Sequence, residues 1–389
     1  MIVQHTNIAT AMALAAVLCI PAQLAAAKDK VQVGFIGPLS GGTSSNGLGG
    51  RNAADLAVKL RNADADAVYE YELTVLDDEC KPDKGVQVAT KLAADRDIIA
   101  AATHYCSAVA IATVDVYAKF ELPVIVWGAV LPDITYGNDH KEVHRVNGTM
   151  INQNQVAAEF MTGLGYKTWA VIHDTTDYGK GHNTYFSQYL AENGGEILGT
   201  FGVTAEQQDF TAELTSIKAL DPDVLYFGGL TPIGVRIRAQ MEKIGVDALF
   251  EGTSGIVSDT FIEGVGDLAE GVVAFREGAP VEKLPGGQFF MEAYETEDYA
   301  EPAEAYGPFA FAAMNLILDT IEEVGPDRDA VREALNQVQG HDSIVGEVSF
   351  DDHGQNSVAA ITKYVIQDGK WTLWEESEYA DGTRKLKGL

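Results

Sequence analysis

From residue 31 onward the chain alternates two patterns of apolar and polar positions. Short, nearly continuous apolar runs, such as Val31-Gln-Val-Gly-Phe-Ile-Gly37 and Pro123-Val-Ile-Val-Trp127, read as strands buried on both faces. Between them the apolar residues recur every three or four positions. Val86, Val88, Ala89, Leu92 and Ala93 mark one face of a helix over 82–94. The first half predicts strands over 31–37, 71–77, 98–104 and 123–127, with helices over 51–61, 82–94 and 108–119. A Gly- and Ser-rich stretch over 40–50 reads as a turn. The rhythm then restarts, with strands over 169–173, 195–199, 224–228, 248–250 and 271–275 and helices over 179–193, 210–219 and 233–244. Alternation of this kind builds parallel sheets with helices on both faces and right-handed crossovers. The expected fold is α/β, with two doubly wound parallel-sheet lobes in succession.

The remaining sequence predicts a long apolar helix over 302–323, a helix over 328–338, a strand over 346–350 and a hairpin of 361–366 and 371–374 around Asp368-Gly369. These are too few elements for a third domain. Packed back to complete both sheets, they require several chain crossings and hence a hinge with a cleft. The expected division is 28–147 plus about 277–357 for the first lobe, and 148–276 plus about 358–389 for the second. Clefts between open α/β sheets bind ligands at the carboxyl ends of strands.

Residues 1–27 contain no Lys, Arg, Asp or Glu; an apolar run from Ile8 to Ile20 leads to Ala25-Ala26-Ala27. This reads as a cleaved signal peptide with Lys28 as the first mature residue, although its start lacks the usual basic residue. The expectation is a secreted, periplasmic, monomeric protein without stable membrane insertion. Cys19 leaves with the signal, so Cys80 and Cys106 remain, as one disulfide or as two buried thiols. The net charge of −30 repels nucleic acid and anionic lipid, so any anion site must be local.

The informative segment is Ala101-Ala-Thr-His-Tyr-Cys-Ser107. A strand gives way to a helix at Cys106-Ser107, placing Ser107 at the expected N-cap. Its hydroxyl and the free first-turn amides suit a carboxylate, or else Ser107 only caps its own helix. The Gly-rich stretch lacks a Walker lysine, and no nucleophile elbow, zinc signature or nucleophile–base pair occurs. No cofactor, no metal and no enzymatic activity are expected.

At this point the chain resembles the leucine/isoleucine/valine-binding family of type I periplasmic binding proteins. The resemblance rests on Gly37-Pro-Leu-Ser-Gly41, Asp77-Asp-Glu-Cys80, His104-Tyr-Cys-Ser107, Gly128-Ala-Val-Leu-Pro-Asp-Ile-Thr135, Ile172-His-Asp-Thr-Thr-Asp-Tyr-Gly179 and Tyr226-Phe-Gly-Gly229, in the family's order. It implies two lobes joined by a three-segment hinge, a Cys80–Cys106 disulfide beside the site, and the permease and ATPase subunits of an ABC importer as partners. A ligand-sensing receptor partner is the alternative role. Ser107 matches the serine that holds the ligand carboxylate, Ala129 a residue offering its carbonyl, and Tyr178 a tyrosine of the second lobe. Asn46 and Tyr306 fall at lining positions, and Trp127 and Tyr105 are candidate aromatic walls.

Two departures bear on the ligand. Val130 stands where the family carries a threonine, and Ser254 where amino-acid binders carry a glutamate that pairs with the ammonium. Burying an ammonium without partners is costly. The expected ligand is therefore a small carboxylate without an α-amine: an aromatic, hydroxy or keto acid. If an amino acid binds instead, Asp77 or Glu251 must take the ammonium role. Arg51 is either a clamp for a second acidic group or a solvated surface residue.

Overall fold

The protein is described by a computed structural model that covers residues 28–357 and 360–389. The segment expected to be a signal peptide lies outside the described residues. In the first half, strands β1 (Asp29–Gly37), β2 (Tyr69–Asp77), β3 (Ile98–Thr103), β4 (Val124–Val126) and β5 (Val143–Arg145) alternate with helices α1 (Ser44–Ala63), α2 (Pro82–Ala94), α3 (Ser107–Phe120) and α4 (Asp133–Tyr136). The five strands are parallel in the order β2-β1-β3-β4-β5.

Helix α5 (Met150–Leu164) leads into the second unit. It comprises β6 (Thr168–Asp174), α6 (Asp177–Glu192), β7 (Glu196–Val203), α7 (Thr211–Leu220), β8 (Val224–Gly228), α8 (Thr231–Ile244), β9 (Leu249–Gly252), α9 (Asp259–Val265) and β10 (Val273–Glu277). The chain closes with α10 (Gly287–Thr296), α11 (Gly307–Val324), α12 (Arg328–Leu335) and strands β11 (His341–Ser343), β12 (Gly346–Val348), β13 (Ile361–Gln367) and β14 (Lys370–Leu373). The second sheet has seven strands in the order β14-β13-β10-β9-β8-β6-β7, with β13 and β14 antiparallel. Its parallel part, β7-β6-β8-β9-β10, repeats the order of the first sheet. Each sheet therefore reverses direction between its first and third strands, and ligand crevices of doubly wound sheets form at that reversal.

The tail returns to both sheets as expected, but unequally: the first gains only a parallel bridge between Gln355 and Arg145 on its edge strand β5. β13 and β14 extend the second sheet, whereas β11 and β12 pair only with each other. The first lobe instead gains helices: Phe311, Met314, Ile317 and Ile321 of α11 and Val331 and Leu335 of α12 join the core of Val33, Phe35, Leu56 and Ile125. Connections between the sheets run through residues 146–149 and after Glu277.

The Gly-rich stretch is also not simply a turn, because α1 already begins at Ser44. Its glycines permit close packing. A Cβ on Gly47 would lie 1.9 Å from the Pro38 carbonyl oxygen, and one on Gly50 would lie 2.7 Å from the Trp127 ring. The helix period is therefore interrupted by contacts with partners elsewhere in the chain.

Candidate functional site

The carboxyl ends of the two sheets face each other across a cavity of about 220 Å³. The first lobe contributes Cys80, Tyr105, Cys106, Ser107, Ala108 and Gly128; the second contributes Thr175, Thr176, Asp177, Tyr178, Leu230, Ser254 and Gly255. Tyr306, at the start of α11, closes a side, and Pro82 and Lys180 complete the lining. These residues follow β2, β3, β4, β6, β8 and β9, so the cavity lies at both reversal points. The lobes touch around it: Tyr178 packs in one cluster with Ala129, Val130 and Leu131.

On the first lobe, Cys80 and Cys106 form a disulfide with Cα atoms 5.6 Å apart. Glu79 and Cys80 both have positive φ. Their amides donate to Asp77 Oδ1 and Asp78 Oδ1 at 2.8 Å, which holds this otherwise disfavoured turn. Asp78 Oδ2 meets His104 Nδ1 at 2.9 Å, and His104 Nε2 meets the Tyr117 hydroxyl at 2.6 Å. This wholly buried chain fixes the end of β3 beneath the disulfide.

Cys106, with extended backbone, is the N-cap of α3; Ser107 is the first helical residue, one position later than expected, and makes no capping bond. Its side chain has a different task. The Ser107 Oγ accepts from the Val130 and Leu131 amides at 3.2 and 3.3 Å. This leaves the hydroxyl proton for a ligand, beside the first-turn amides of α3. Behind the same turn lies Arg145, which has no exposed surface. Its guanidinium donates to the carbonyls of Ala129 (3.3 Å) and Leu131 (2.6 Å), to Thr135 Oγ1 (2.9 Å) and to Gln355 Oε1 (2.6 Å). Burial pushes it down to about 10, so it stays charged near neutral pH. Among the described residues no carboxylate pairs with it directly, and Glu277, Asp351 and Asp133 act on it only from farther away, so a buried positive charge stands behind the turn that faces Ser107.

The second lobe supplies the N-terminus of α6, capped by Thr176, whose hydroxyl accepts from the Gly179 amide. Tyr178 is fixed by its own hydroxyl, which accepts from the Gly255 amide at 2.9 Å and meets Thr253 Oγ1 at 2.9 Å and Ser254 Oγ at 3.4 Å. Tyr105 stacks on Trp127, with centroids 5.8 Å apart, and presents an edge to Tyr306 at 5.5 Å.

The structure thus brings Ser107, Tyr178, Ser254, Tyr306, Tyr105, Cys80 and Cys106 to one cavity. Others stand back from it. Trp127 is sandwiched between Phe35 and Tyr105, donates to the Ile36 carbonyl at 3.3 Å and supports the wall from behind. Ala129 and Val130 do not line the cavity; Gly128 takes that place, and the Ala129 carbonyl is occupied by Arg145. Asn46 is buried in the first turns of α1, away from the lining. Arg51 lies 3.9 Å from Glu301. Neither stand-in for the ammonium partner reaches the cavity. Asp77 is taken up by Leu39, Ser40 and Glu79. Glu251 accepts from Trp169 Nε1 at 3.1 Å inside the second lobe, where burial raises it to about 8.

Sequence reasoning did not single out Glu277. It ends β10 with no exposed surface. Its Oε2 accepts from the Tyr306 hydroxyl at 2.9 Å, and its Oε1 has no partner. Burial raises its carboxyl above the ordinary range, against the pull of the Tyr306 and Ser254 hydroxyls.

Two α/β lobes of repeated topology, closing over a cavity fed by helix N-termini, define a bilobal solute-binding protein. The chain belongs to the periplasmic binding protein family, which it matches over residues 30–370; these are solute binders and not enzymes. It is 28% identical over 332 residues to the leucine-, isoleucine-, valine-, threonine-, and alanine-binding protein of Pseudomonas aeruginosa, covering 84% of this chain and 87% of the relative. Its fold is similar to the branched-chain amino acid transporter substrate-binding protein LivJ of Streptococcus pneumoniae, solved with isoleucine (TM-score 0.81, 21% identity, 88% of this chain and 98% of that one). It is also similar to a solute-binding protein of an ABC transporter from R. palustris, solved with benzoate (TM-score 0.79, 18% identity, 88% and 95%). Among the described residues, no helix is long and apolar enough to cross a membrane.

Proposed function

We propose that this protein is the substrate-binding component of an ABC importer and captures a small carboxylate-bearing solute in the periplasm by lobe closure. The observation that carries the reading is the pole at Ser107. A hydroxyl and free α3 amides face the cavity, with the buried guanidinium of Arg145 behind the adjoining 129–131 turn. A carboxylate there bonds charge-assisted donors and lies in a favourable field. At about 220 Å³ the cavity is below the ~300–1,000 Å³ of drug-sized sites, so the solute is small. The acid bridges both lobes and draws the population toward the closed form.

The far end of the cavity decides the solute class. Ser254, which lines the cavity, lacks the carboxylate that amino-acid binders use for an ammonium, which favours an aromatic, hydroxy or keto acid; a solute-binding protein of similar fold solved with benzoate supports this preference. The second reading, an α-amino acid, is favoured by one observation, the half-partnered carboxyl of Glu277 beside Ser254.

A thermal-shift screen of amino acids against aromatic, hydroxy and keto acids tests the proposal. A ligand at 100 times its Kd adds about 2.7 kcal/mol to stability. A screen in which no carboxylate of either class raises the melting temperature rejects the reading.

A further inference from the structure

We infer that the protein carries a second small-molecule site, separate from the Ser107 cavity, in which Arg276 pairs with the carboxylate of a monoacid whose apolar body lies against Tyr364 and Trp371. The inference does not depend on the reading of the Ser107 cavity, and the two sites share no lining residue.

Arg276 precedes Glu277 on β10, so the two side chains leave opposite faces of the sheet. Glu277 accepts from Tyr306 beside the Ser107 cavity. Arg276 lines a separate cleft of about 420 Å³. One wall comes from β10, β13 and β14 of the second sheet, through Arg276, Tyr364 and Trp371. The facing wall includes Ala305 and Phe309, which pack in the core of the first lobe. The cleft continues into a neighbouring one of about 470 Å³ that shares Arg276, Glu304, Tyr364 and Trp371.

Three arginines are buried among the described residues: Arg145, Arg276 and Arg328. Arg145 donates to Leu131 and Gln355, and Arg328 to the carbonyls of Ala93, Ile98 and Phe120. Arg276 is as deeply placed, at 6% exposure, yet its Nε has no partner, and no described hydrogen bond or ion pair involves its side chain. Its guanidinium lies over the Tyr364 ring, 5.2 Å from the centroid, which offsets only part of the cost of burying the charge. Glu277 acts on it through the field alone. An anion in the cleft supplies the missing partner. Its character follows from the walls. Tyr364 and Trp371 meet edge to face with centroids 6.3 Å apart, an aromatic corner for an apolar body. Lys283 pairs with Glu376 at 2.9 Å, so Arg276 and the exposed Lys370 are the lining cations without a carboxylate partner among the described residues. Glu282 and Glu304 also line the cleft and repel a dianion such as phosphate more than a monocarboxylate. Burial, with Asp259 and Glu263 nearby, raises Glu304 to about 7, so a proton relieves part of that repulsion near neutral pH.

The test follows the indole N–H of Trp371, which donates to the Ser258 carbonyl at 3.0 Å, by heteronuclear NMR, with the resonance identified through Trp371→Phe. Benzoate, 4-methylpentanoate and inorganic phosphate are each titrated through the millimolar range at low ionic strength. The inference expects a saturable shift with at least one of the two acids. It expects Kd to rise on the order of 10-fold in Arg276→Gln and to stay unchanged in Ser107→Ala. Lys370→Glu, a change at an exposed edge position, should raise Kd about 2- to 5-fold, and it decides the matter if Arg276→Gln fails to fold. No saturable shift with either acid overturns the inference and leaves Arg276 as a brace for Tyr364. Phosphate binding more tightly than both acids overturns it too. So does a shift that weakens in Ser107→Ala, because the signal then comes from the other cavity. Parental affinity in a folded Arg276→Gln variant, or in Lys370→Glu where the first is unfolded, has the same consequence.

Discussion

Replacing Ser107 with alanine separates two roles that one oxygen plays. In the unliganded protein its Oγ accepts from the Val130 and Leu131 amides at 3.2 and 3.3 Å. Ser107→Ala leaves two buried N–H groups without an acceptor. Each such loss costs about 1–3 kcal/mol, and because both bonds are long the lower end applies, so the pair costs about 2 kcal/mol. Urea unfolding of the unliganded variant should show that decrease. Affinity is a separate quantity. On the proposed reading the hydroxyl proton donates to the solute carboxylate, and a hydrogen bond to a charged group contributes about 1.5–3 kcal/mol. Isothermal calorimetry should therefore find Kd raised roughly 10- to 150-fold. A variant that is destabilised but binds within twofold of the parent refutes the reasoning, because Ser107 would then only brace the 129–131 turn.

The other predictions concern the walls. Reducing the Cys80–Cys106 bond, which joins residues 26 apart in sequence, releases a loop whose closure entropy corresponds to about 3.5 kcal/mol; chemical unfolding with and without reductant should show a loss of that order, with weaker ligand binding. Glu251 is raised to about 8 by burial, so the folded state holds a proton that the unfolded state releases above about 4.5. The wild type should therefore lose stability as pH rises from about 4.5 to about 8. Glu251→Gln, which can still accept from Trp169, should flatten that slope and melt higher than the parent at pH 8 but not at pH 5. Tyr178→Phe removes the acceptor of the Gly255 amide while keeping the ring. It should cost about 1–2 kcal/mol of stability and speed ligand release in stopped-flow measurements.

The parts of the fold legible in the sequence are those whose period is set by apolar packing alone. The helix over 82–94 was readable to the residue, because Pro82 fits its first position and one face is uniformly apolar. Helix α5 escaped because it buries polar side chains. Gln153 donates to the Phe275 carbonyl at 2.5 Å and Asn154 faces His182 at 3.0 Å, which breaks the apolar stripe that marks a helix. The site divides in the same way. Ser107 stands out at a strand–helix junction and is local in origin. Glu277, in a run reading Arg276-Glu277-Gly278, looks like surface; only the placement of β10 in its sheet and of Tyr306 at the start of α11 buries it. Arg145 is hidden likewise, since its partners Ala129, Leu131 and Gln355 are 14 to 210 residues away.

The repeated strand order has a bearing on how such a protein diversifies. If the solute is held as proposed, gripping its acid group falls to one half of the molecule, through Ser107 and the loop that Arg145 secures. Most of what lies opposite, including Tyr178, Leu230, Ser254 and Gly255, comes from the other half. Descendants can therefore exchange the discriminating loops while keeping the common handle, and a single ancestral scaffold can supply importers for chemically distinct nutrients without rebuilding its grip.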